Sequence, residues 1–238
     1  MDAEVILSAE LLKLGFIKKG RRVFYLIKDD IIGLIAFERP SDILYVQFAI
    51  VPLFLPCPGF IYYSYGNRLN AMYRDLPVIL KSSSEEQIKA FCNLAAVYIK
   101  DDILPFLCEH STAAALQKLA RSWVGFLRHK NKKYLFCNSE DSMRLLLYSS
   151  LCMRDYTNAQ IIAKRYVSYV TGIKFYTKSL KEQKIYEVNQ IIAALNDSNF
   201  ETIESMLRSN REKNLALLSG SKSTDASSTS NTGDGSMC

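Results

Sequence analysis

Along residues 3–15 the apolar positions Val5, Ile6, Ala9, Leu12 and Leu14 fall close to a helical period, and the pattern stops at Gly15. A glycine there can enter the left-handed region without a side-chain penalty, so the spacing predicts a helix ending at that point. The pattern then changes. "RRVFYLI" and "IIGLIAF", rich in β-branched and aromatic residues, flank Lys28-Asp29-Asp30, which predicts a hairpin with a polar turn. "DILYVQFAIV" predicts a central strand and "GFIYYSYG" a fourth strand. Pro52, Pro56, Pro58 and Gly59 lie between them and predict an open loop. Residues 1–82 thus read as an α+β domain, with an N-terminal helix packed on an antiparallel sheet of about four strands.

From residue 84 the period is helical. "SSSEEQ" places serine at a cap and acids in a first turn, where the helix dipole favours negative charge. Six apolar stripes follow: Ile88, Phe91, Cys92, Ala95 and Tyr98; Leu116, Leu119, Ala120, Trp123 and Leu127; Met143, Leu146, Leu147 and Leu151; Ala159, Ile162, Ala163, Tyr166 and Val170; Ile185, Val188, Ile191, Ile192 and Leu195; Ile203, Met206 and Leu207. Each stripe is one-sided, which predicts helices packed on neighbours. Pro105 is expected to bend or end the first of them. "MRLLLYSSLCMRDYTNAQIIAKRYV" (143–167) has the form of a tetratricopeptide-like helical hairpin, echoed by "VNQIIAALNDSNFETIESML" (188–207). Stacked hairpins of this kind present a groove to a protein segment; a plain bundle is the alternative. Residues 83–218 form this all-helical half. Residues 219–238 hold 13 Ser, Thr or Gly in 20 and bury too little apolar area to offset ordering, which predicts a disordered tail.

Composition narrows the function classes. The 238 residues are 49% hydrophobic and 23% charged, an ordinary globular balance. No uninterrupted apolar run reaches the roughly 18 residues of a membrane span, and the acidic start "MDAEVILSAE" is unlike a signal peptide. The expectation is a cytoplasmic protein with no membrane partner. The six cysteines are at least fifteen residues apart. Cys92, Cys108, Cys137 and Cys152 lie in apolar stretches and are expected to be reduced, buried thiols; Cys238, in the polar tail, is the reactive one. The two histidines, His110 and His129, have no ligand partner at one-turn spacing, Glu109 being adjacent to His110 but facing elsewhere. "KKGRR" lacks the following Gly-Lys-Ser/Thr of a phosphate loop. Asp29-Asp30 fits a hairpin turn, and Glu85-Glu86 and Glu140-Asp141 fit helix starts. No metal, cofactor or catalytic set is therefore expected.

Charge is the most informative feature. Residues 111–180 carry 12 cations against 3 anions, while the rest of the chain is close to neutral. "RHKNKKY" contributes Arg128, Lys130, Lys132 and Lys133. Residues 154–178 contribute Arg154, Lys164, Arg165, Lys174 and Lys178, interleaved with Tyr166, Tyr169, Phe175 and Tyr176. Such a face can hold an acidic protein surface. Alternatively it can grip a nucleic-acid backbone and stack bases. The bland account puts the aromatics in the core and the cations in water. The cations Lys18, Lys19, Arg21 and Arg22 read as the solvated edge of a helix-to-strand turn.

"ELLKLGFIKKGRRVFY", a polar turn and "IIGLIAFERPS" together resemble an uncharacterised bacterial family, the domain of unknown function catalogued as four-three-zero-four. Leu14, Gly15, Phe16, Lys18, Gly20 and Phe24 match its Leu-Gly-Phe-x-Lys-x-Gly-x-x-Phe stretch. Phe37 and Ser41 match its Phe-Gln-x-Ser loosely, since Glu38 replaces glutamine and Arg39-Pro40 lengthens the spacing. "YSYGNRL" is similar to a later Gly-x-Arg stretch. The resemblance covers about 80 residues. It implies an α+β fold without catalytic machinery, and a junction in which Gly15 and Gly20 permit the turn, Phe16 and Phe24 anchor it, and the cations stay wet. It also suggests an immunity or defence-associated role. The resulting expectation is a non-enzymatic interaction factor binding an acidic partner through the basic helical face. The rival expectation is a nucleic-acid-binding module.

Overall fold

A computed structural model of the chain describes residues 2–56, 65–124 and 139–219. The fold is α+β. Helix α1 (Ala3–Lys13) is capped by the Asp2 side chain, which accepts from the Glu4 amide. The strands β1 (Ile17–Lys19), β2 (Val23–Lys28), β3 (Ile31–Glu38), β4 (Ile43–Pro52) and β5 (Tyr65–Arg68) form an antiparallel path in that order. The short helix α2 (Leu69–Met72) leads to β6 (Ile79–Leu80), which pairs with the start of β4. The expected central strand is therefore bordered by β3 on one side and by β5 and β6 on the other. The two-residue β6 and three-residue β1 are too short to give a periodic signal. Pro52, expected in the loop, is buried at the end of β4; Pro58 and Gly59 lie outside the described residues.

The junction after α1 turns on two glycines. Gly15 and Gly20 have φ of 86° and 63°, a region that costs a side-chain-bearing residue about 1 kcal/mol or more. Phe16 and Phe24 are buried. Lys18 and Arg21 are exposed, but Arg22 is not simply wet: it pairs with the buried carboxylate of Glu4 at 3.4 Å. Arg39, from the β3–β4 turn, reaches the same carboxylate at 3.0 Å.

The buried face of α1 is not the expected one. Ala3, Leu7 and Leu11 are buried, with Glu4 and Ser8 beside them, whereas Val5 and Leu12 are 67% and 52% exposed. The helix is apolar on two sides. Glu4 and Ser8 can sit inward because Glu4 meets two guanidiniums and the Ser8 hydroxyl donates to the Glu4 carbonyl.

One face of the sheet carries Phe24, Ile31, Ile35, Phe37, Val46, Phe48 and Ile50, which enter the main core. Against it pack α1, α3 (Glu85–Tyr98) and α4 (Leu104–Glu109). Helix α3 starts on a capping box of Ser84 and Gln87, as its sequence indicates. The chain passes from α3 through a π-helical turn (Ile99–Ile103) into α4, so Pro105 sits in a first turn, where its missing amide is tolerated. Phe106 meets Phe48 edge-on at 5.9 Å.

Helices α5 (Ala113–Val124), α6 (Ser139–Cys152), α7 (Tyr156–Gly172), α8 (Lys178–Asn196) and α9 (Phe200–Ser219) complete the chain. The main core continues from the sheet into these helices and crosses the boundary near residue 82 without a break. Helix α6 departs from the one-sided expectation. Ten of its 14 residues are buried, Ser149 and Ser150 included, because their hydroxyls return to the carbonyls of Leu145 and Leu146. The α6–α7 and α8–α9 hairpins share one turn design. Arg154 and Ser198 take φ of 57° and 54°. Asp155 and Asn199 follow, and their side chains accept from the amides of Asn158 and Thr202. The next residues, Tyr156 and Phe200, stack on each other at 4.2 Å.

Helix α9 also reaches the second face of the sheet. Leu215 and Leu218 cover Ile32, Leu34, Ala49 and Leu53. Asn210 and Asn214 donate to the carbonyls of Phe54, Leu53 and Leu55 at 2.9–3.0 Å. Arg211 bonds the Asp30 carboxylate and the Asp29 carbonyl. Of the expected tail only Ser219, the last residue of α9, lies among the described residues. No helix among the described residues is long and apolar enough to cross a membrane.

Candidate functional site

The cationic residues do not form one patch. Helix α7 is 17 residues long, so its two ends are roughly 25 Å apart. Arg154 sits before its first turn and pairs with Glu204 of α9 at 2.8 Å. Lys174 and Lys178 lie beyond its other end. Lys164 and Arg165 occupy its outer face, opposite the buried stripe Ala159, Ile162, Ala163, Tyr166 and Val170. The stripe matches the sequence reading residue for residue. Arg128, Lys130, Lys132 and Lys133 lie outside the described residues, as do Leu127, His129 and Cys137.

The aromatics divide. Tyr166 is only 1% exposed and cannot stack on a ligand, which corrects its place among the candidate binding residues. Tyr169, three residues on, is 40% exposed, and Phe175 in the α7–α8 turn is 82% exposed. Lys164, Arg165 and Lys174 are exposed and make no ion pair among the described residues. Lys178 meets Glu182 at 3.9 Å, a loose surface contact of little energetic weight. The outer face of α7 therefore presents Lys164 and Arg165 with the exposed Tyr169, and the following turn presents Lys174 and Lys178 with the exposed Phe175.

Beneath this face lies a polar network that sequence reasoning missed. Glu140, assigned to a helix start, is indeed in the first turn of α6 but is buried. Its carboxylate accepts from Tyr166 Oη at 3.0 Å, Tyr176 Oη at 2.8 Å and Lys184 Nζ at 2.7 Å. One and two turns along α6, Arg144 and Tyr148 continue the same edge, and Tyr148 donates to Glu187 of α8 at 2.6 Å. Burial pushes the Glu140 carboxyl upward, but the bonds from Lys184, Tyr176 and Tyr166 outweigh it and hold the pKa below the ordinary value. Tyr176 is pushed up to about 12, first by its bond to Glu140 and then by burial. Burial and the Glu140 charge raise Tyr166 as well. Arg144 is pulled down by burial, yet Tyr65, Tyr148, Tyr166 and Glu187 keep it above its usual value.

The network fixes the turn above it. Tyr176 is held by its hydroxyl on Glu140 and by Lys184 Nζ, 5.3 Å from its ring centre. Its neighbour Phe175 meets it edge-on at 5.0 Å. Lys181 closes the turn by donating to the Thr171 carbonyl at 2.6 Å. Phe175 thus projects from a supported base. The carboxylate pair Glu140-Asp141 was visible in sequence; its three distant partners were not, because they lie 26 to 44 residues away.

Among the thiols, Cys92, Cys108 and Cys152 are free. Burial, followed by the charge of Asp2, pushes Cys92 up to about 11, and burial, followed by Asp30, pushes Cys152 up to about 12. Cys108 is exposed on α4, against expectation, because that helix turns Phe106 and Leu107 to the sheet. Among the described residues no three His, Cys, Asp or Glu side chains are grouped to hold a metal ion. Comparison with family models, with curated proteins and with solved structures finds no match to this chain.

Proposed function

We propose that the chain is a non-enzymatic interaction factor that binds an acidic protein partner through the outer face of α7 and the α7–α8 turn. The supporting observation is Phe175, 82% exposed on a turn braced by Tyr176 and flanked in sequence by Lys174 and Lys178, with Lys164 and Arg165 exposed on the outer face of α7. Exposed aromatics anchored on a rigid base are favoured contact residues. Solvated cations steer an acidic partner and set its orientation. A cytoplasmic setting is supported by the three cysteines among the described residues, all of them free. An immunity or defence-associated role is part of this proposal and rests only on the sequence resemblance of the N-terminal stretch. A second reading, nucleic-acid binding, is favoured by the same exposed rings among cations, since bases stack on such rings.

The test combines charge reversal with salt. Partners captured from the native host would be compared between the unaltered chain and a variant carrying Lys164→Glu, Arg165→Glu, Lys174→Glu and Lys178→Glu. The expected result is loss of the captured protein. Retention of every partner would overturn the proposal. In parallel, RNA and DNA would be titrated at low and physiological salt. Binding that survives physiological salt and falls steeply with added salt would promote the nucleic-acid reading, because bound phosphates release counterions.

A further inference from the structure

Helix α1 is apolar on two sides, and the chain covers one of them. Ala3, Leu7 and Leu11 enter the core, while Val5, Ala9 and Leu12 face water. At about 100° per residue these three fall within an arc of roughly 60°, so they form one stripe along the helix. Val5 is 67% exposed and Leu12 52%. Single exposed apolar residues are ordinary. A stripe at i, i+4 and i+7 is instead the pattern of a helix that packs on another element.

The charges at the two ends of the stripe decide what fits it. Asp2 caps the N-terminal end with its side chain 45% exposed, and Lys13 closes the C-terminal end at 70%. On the same spiral both lie on one flank of the stripe, about 20° and 40° beyond Ala9, and roughly 16 Å apart along the axis. Their ion pairs within the chain are surface contacts of little energetic weight: Asp2 meets Arg39 at 3.9 Å, and Lys13 meets Glu10 at 2.7 Å. Opposite charges on one flank, at opposite ends, are complementary to a second copy turned end for end. A two-fold axis beside Ala9 lays an antiparallel second α1 on the stripe. Val5 then lies against Leu12 of the other copy, and Asp2 of each copy meets Lys13 of the other. The small side chain of Ala9 lets the two axes approach to about 8–10 Å. A parallel pair would instead set Asp2 against Asp2 and Lys13 against Lys13.

We propose that the outer face of α1 docks a second copy of this chain, through antiparallel pairing of the two α1 helices about a two-fold axis. Each copy offers the same patch, so the contact closes at two and does not propagate. The 11-residue helix is roughly 16 Å long and about 10 Å wide. That footprint is well short of the roughly 1,200 Å² of a stable interface, so the dimer dissociates on dilution. This contact is independent of the α7 face.

The test is sedimentation equilibrium of the full chain from micromolar to submillimolar concentration, with a monomer–dimer equilibrium expected. Ala9→Arg sets two guanidiniums against each other at the axis and should abolish the dimer. Leu12→Lys, at the end of the stripe, should do the same. Both residues are exposed, so the fold tolerates the changes, and circular dichroism checks that helix content is kept. Lys13→Glu turns attraction into repulsion at both ends and should weaken association roughly tenfold. Added salt should narrow that gap. In a parallel pair the same substitution would only exchange one like pair for another. Charge reversal on α7 should leave the equilibrium unchanged. A chain that stays monomeric throughout would overturn the proposal, and so would a dimer indifferent to Lys13→Glu or to both Ala9→Arg and Leu12→Lys. Capture of a different protein by a monomeric chain, lost in Ala9→Arg, would likewise overturn it and give the stripe to that partner.

Discussion

The two halves of the molecule each bury one carboxylate in the first turn of a helix, and they satisfy it differently. In the sheet half, Glu4 meets two guanidiniums, Arg22 and Arg39, at the rim of the core. In the helical half, Glu140 meets two tyrosine hydroxyls and one ammonium beneath the α7–α8 turn. The first arrangement is an ion-pair clamp between charged groups. It fastens α1 to the two turns that border it and leads nowhere further. The second is mostly hydrogen bonds from neutral donors, and its members hold the turn that displays Phe175. The difference separates a junction that only closes the fold from a network that also supports a surface.

The sharpest way to break this comparison is to remove each carboxylate. Glu140→Ala leaves the buried Tyr166 hydroxyl, Tyr176 and Lys184 without their acceptor and should cost about 3 kcal/mol. Glu4→Ala frees Arg22, which is half-exposed, and Arg39, which keeps Asp2 within 3.9 Å, and should cost about 1–2 kcal/mol. Urea denaturation of the two variants checks the order. Equal costs, or a larger one for Glu4, would overturn the distinction. Salt should separate them further: raising ionic strength should shrink the Glu4 effect and leave more of the Glu140 effect, since two of the three Glu140 partners are neutral tyrosine hydroxyls that salt does not screen.

A smaller effect is expected for Tyr176→Phe, about 1 kcal/mol for one hydrogen bond. It should also weaken partner capture by loosening the base under Phe175, while the corresponding change at exposed Tyr169 should leave stability unaltered. Calorimetry on both variants, followed by the capture assay, is the check.

The pH dependence has two windows. The Glu140 pKa is lowered on folding, so the unfolded state binds more protons in acid, and this contribution is present above the ordinary value of 4.5 and lost as pH falls below it. Tyr176 is raised to about 12 from an ordinary 10, so its contribution is complete below pH 10 and disappears as pH climbs to about 12. Chemical denaturation across both ranges should show the alkaline loss reduced in Tyr176→Phe and the acid loss reduced in Glu140→Gln.

How much was legible depended on how many sides of an element were apolar. The α7 stripe was read correctly because its other face carries Lys164, Arg165 and Ser168, and only one burial direction satisfies that pattern. Helix α1 was misread because Val5, Ala9 and Leu12 are as well spaced as Ala3, Leu7 and Leu11. The choice between the two faces was made by Arg22 and Arg39, which let Glu4 turn inward. Helix α6 gave a one-sided stripe, yet it is buried almost all round, because its serines are satisfied by their own helix. The candidate surface was found by its charge, but Tyr166 and Tyr169 could not be told apart on one strand of text. They are three residues apart, and one faces Glu140 while the other faces water.

Local rules were sufficient for the Ser84 capping box, the Gly15 stop, the Asp29-Asp30 turn and the paired hairpin turns at Asp155 and Asn199, since each depends on groups within a few residues of one another. Which carboxylate is buried, which tyrosine is a donor and which face of α1 meets the sheet depended on partners up to 44 residues away. Desolvating those groups is tolerable only once the distant partners have been brought within hydrogen-bond reach, and chain order carries no record of that distance in space.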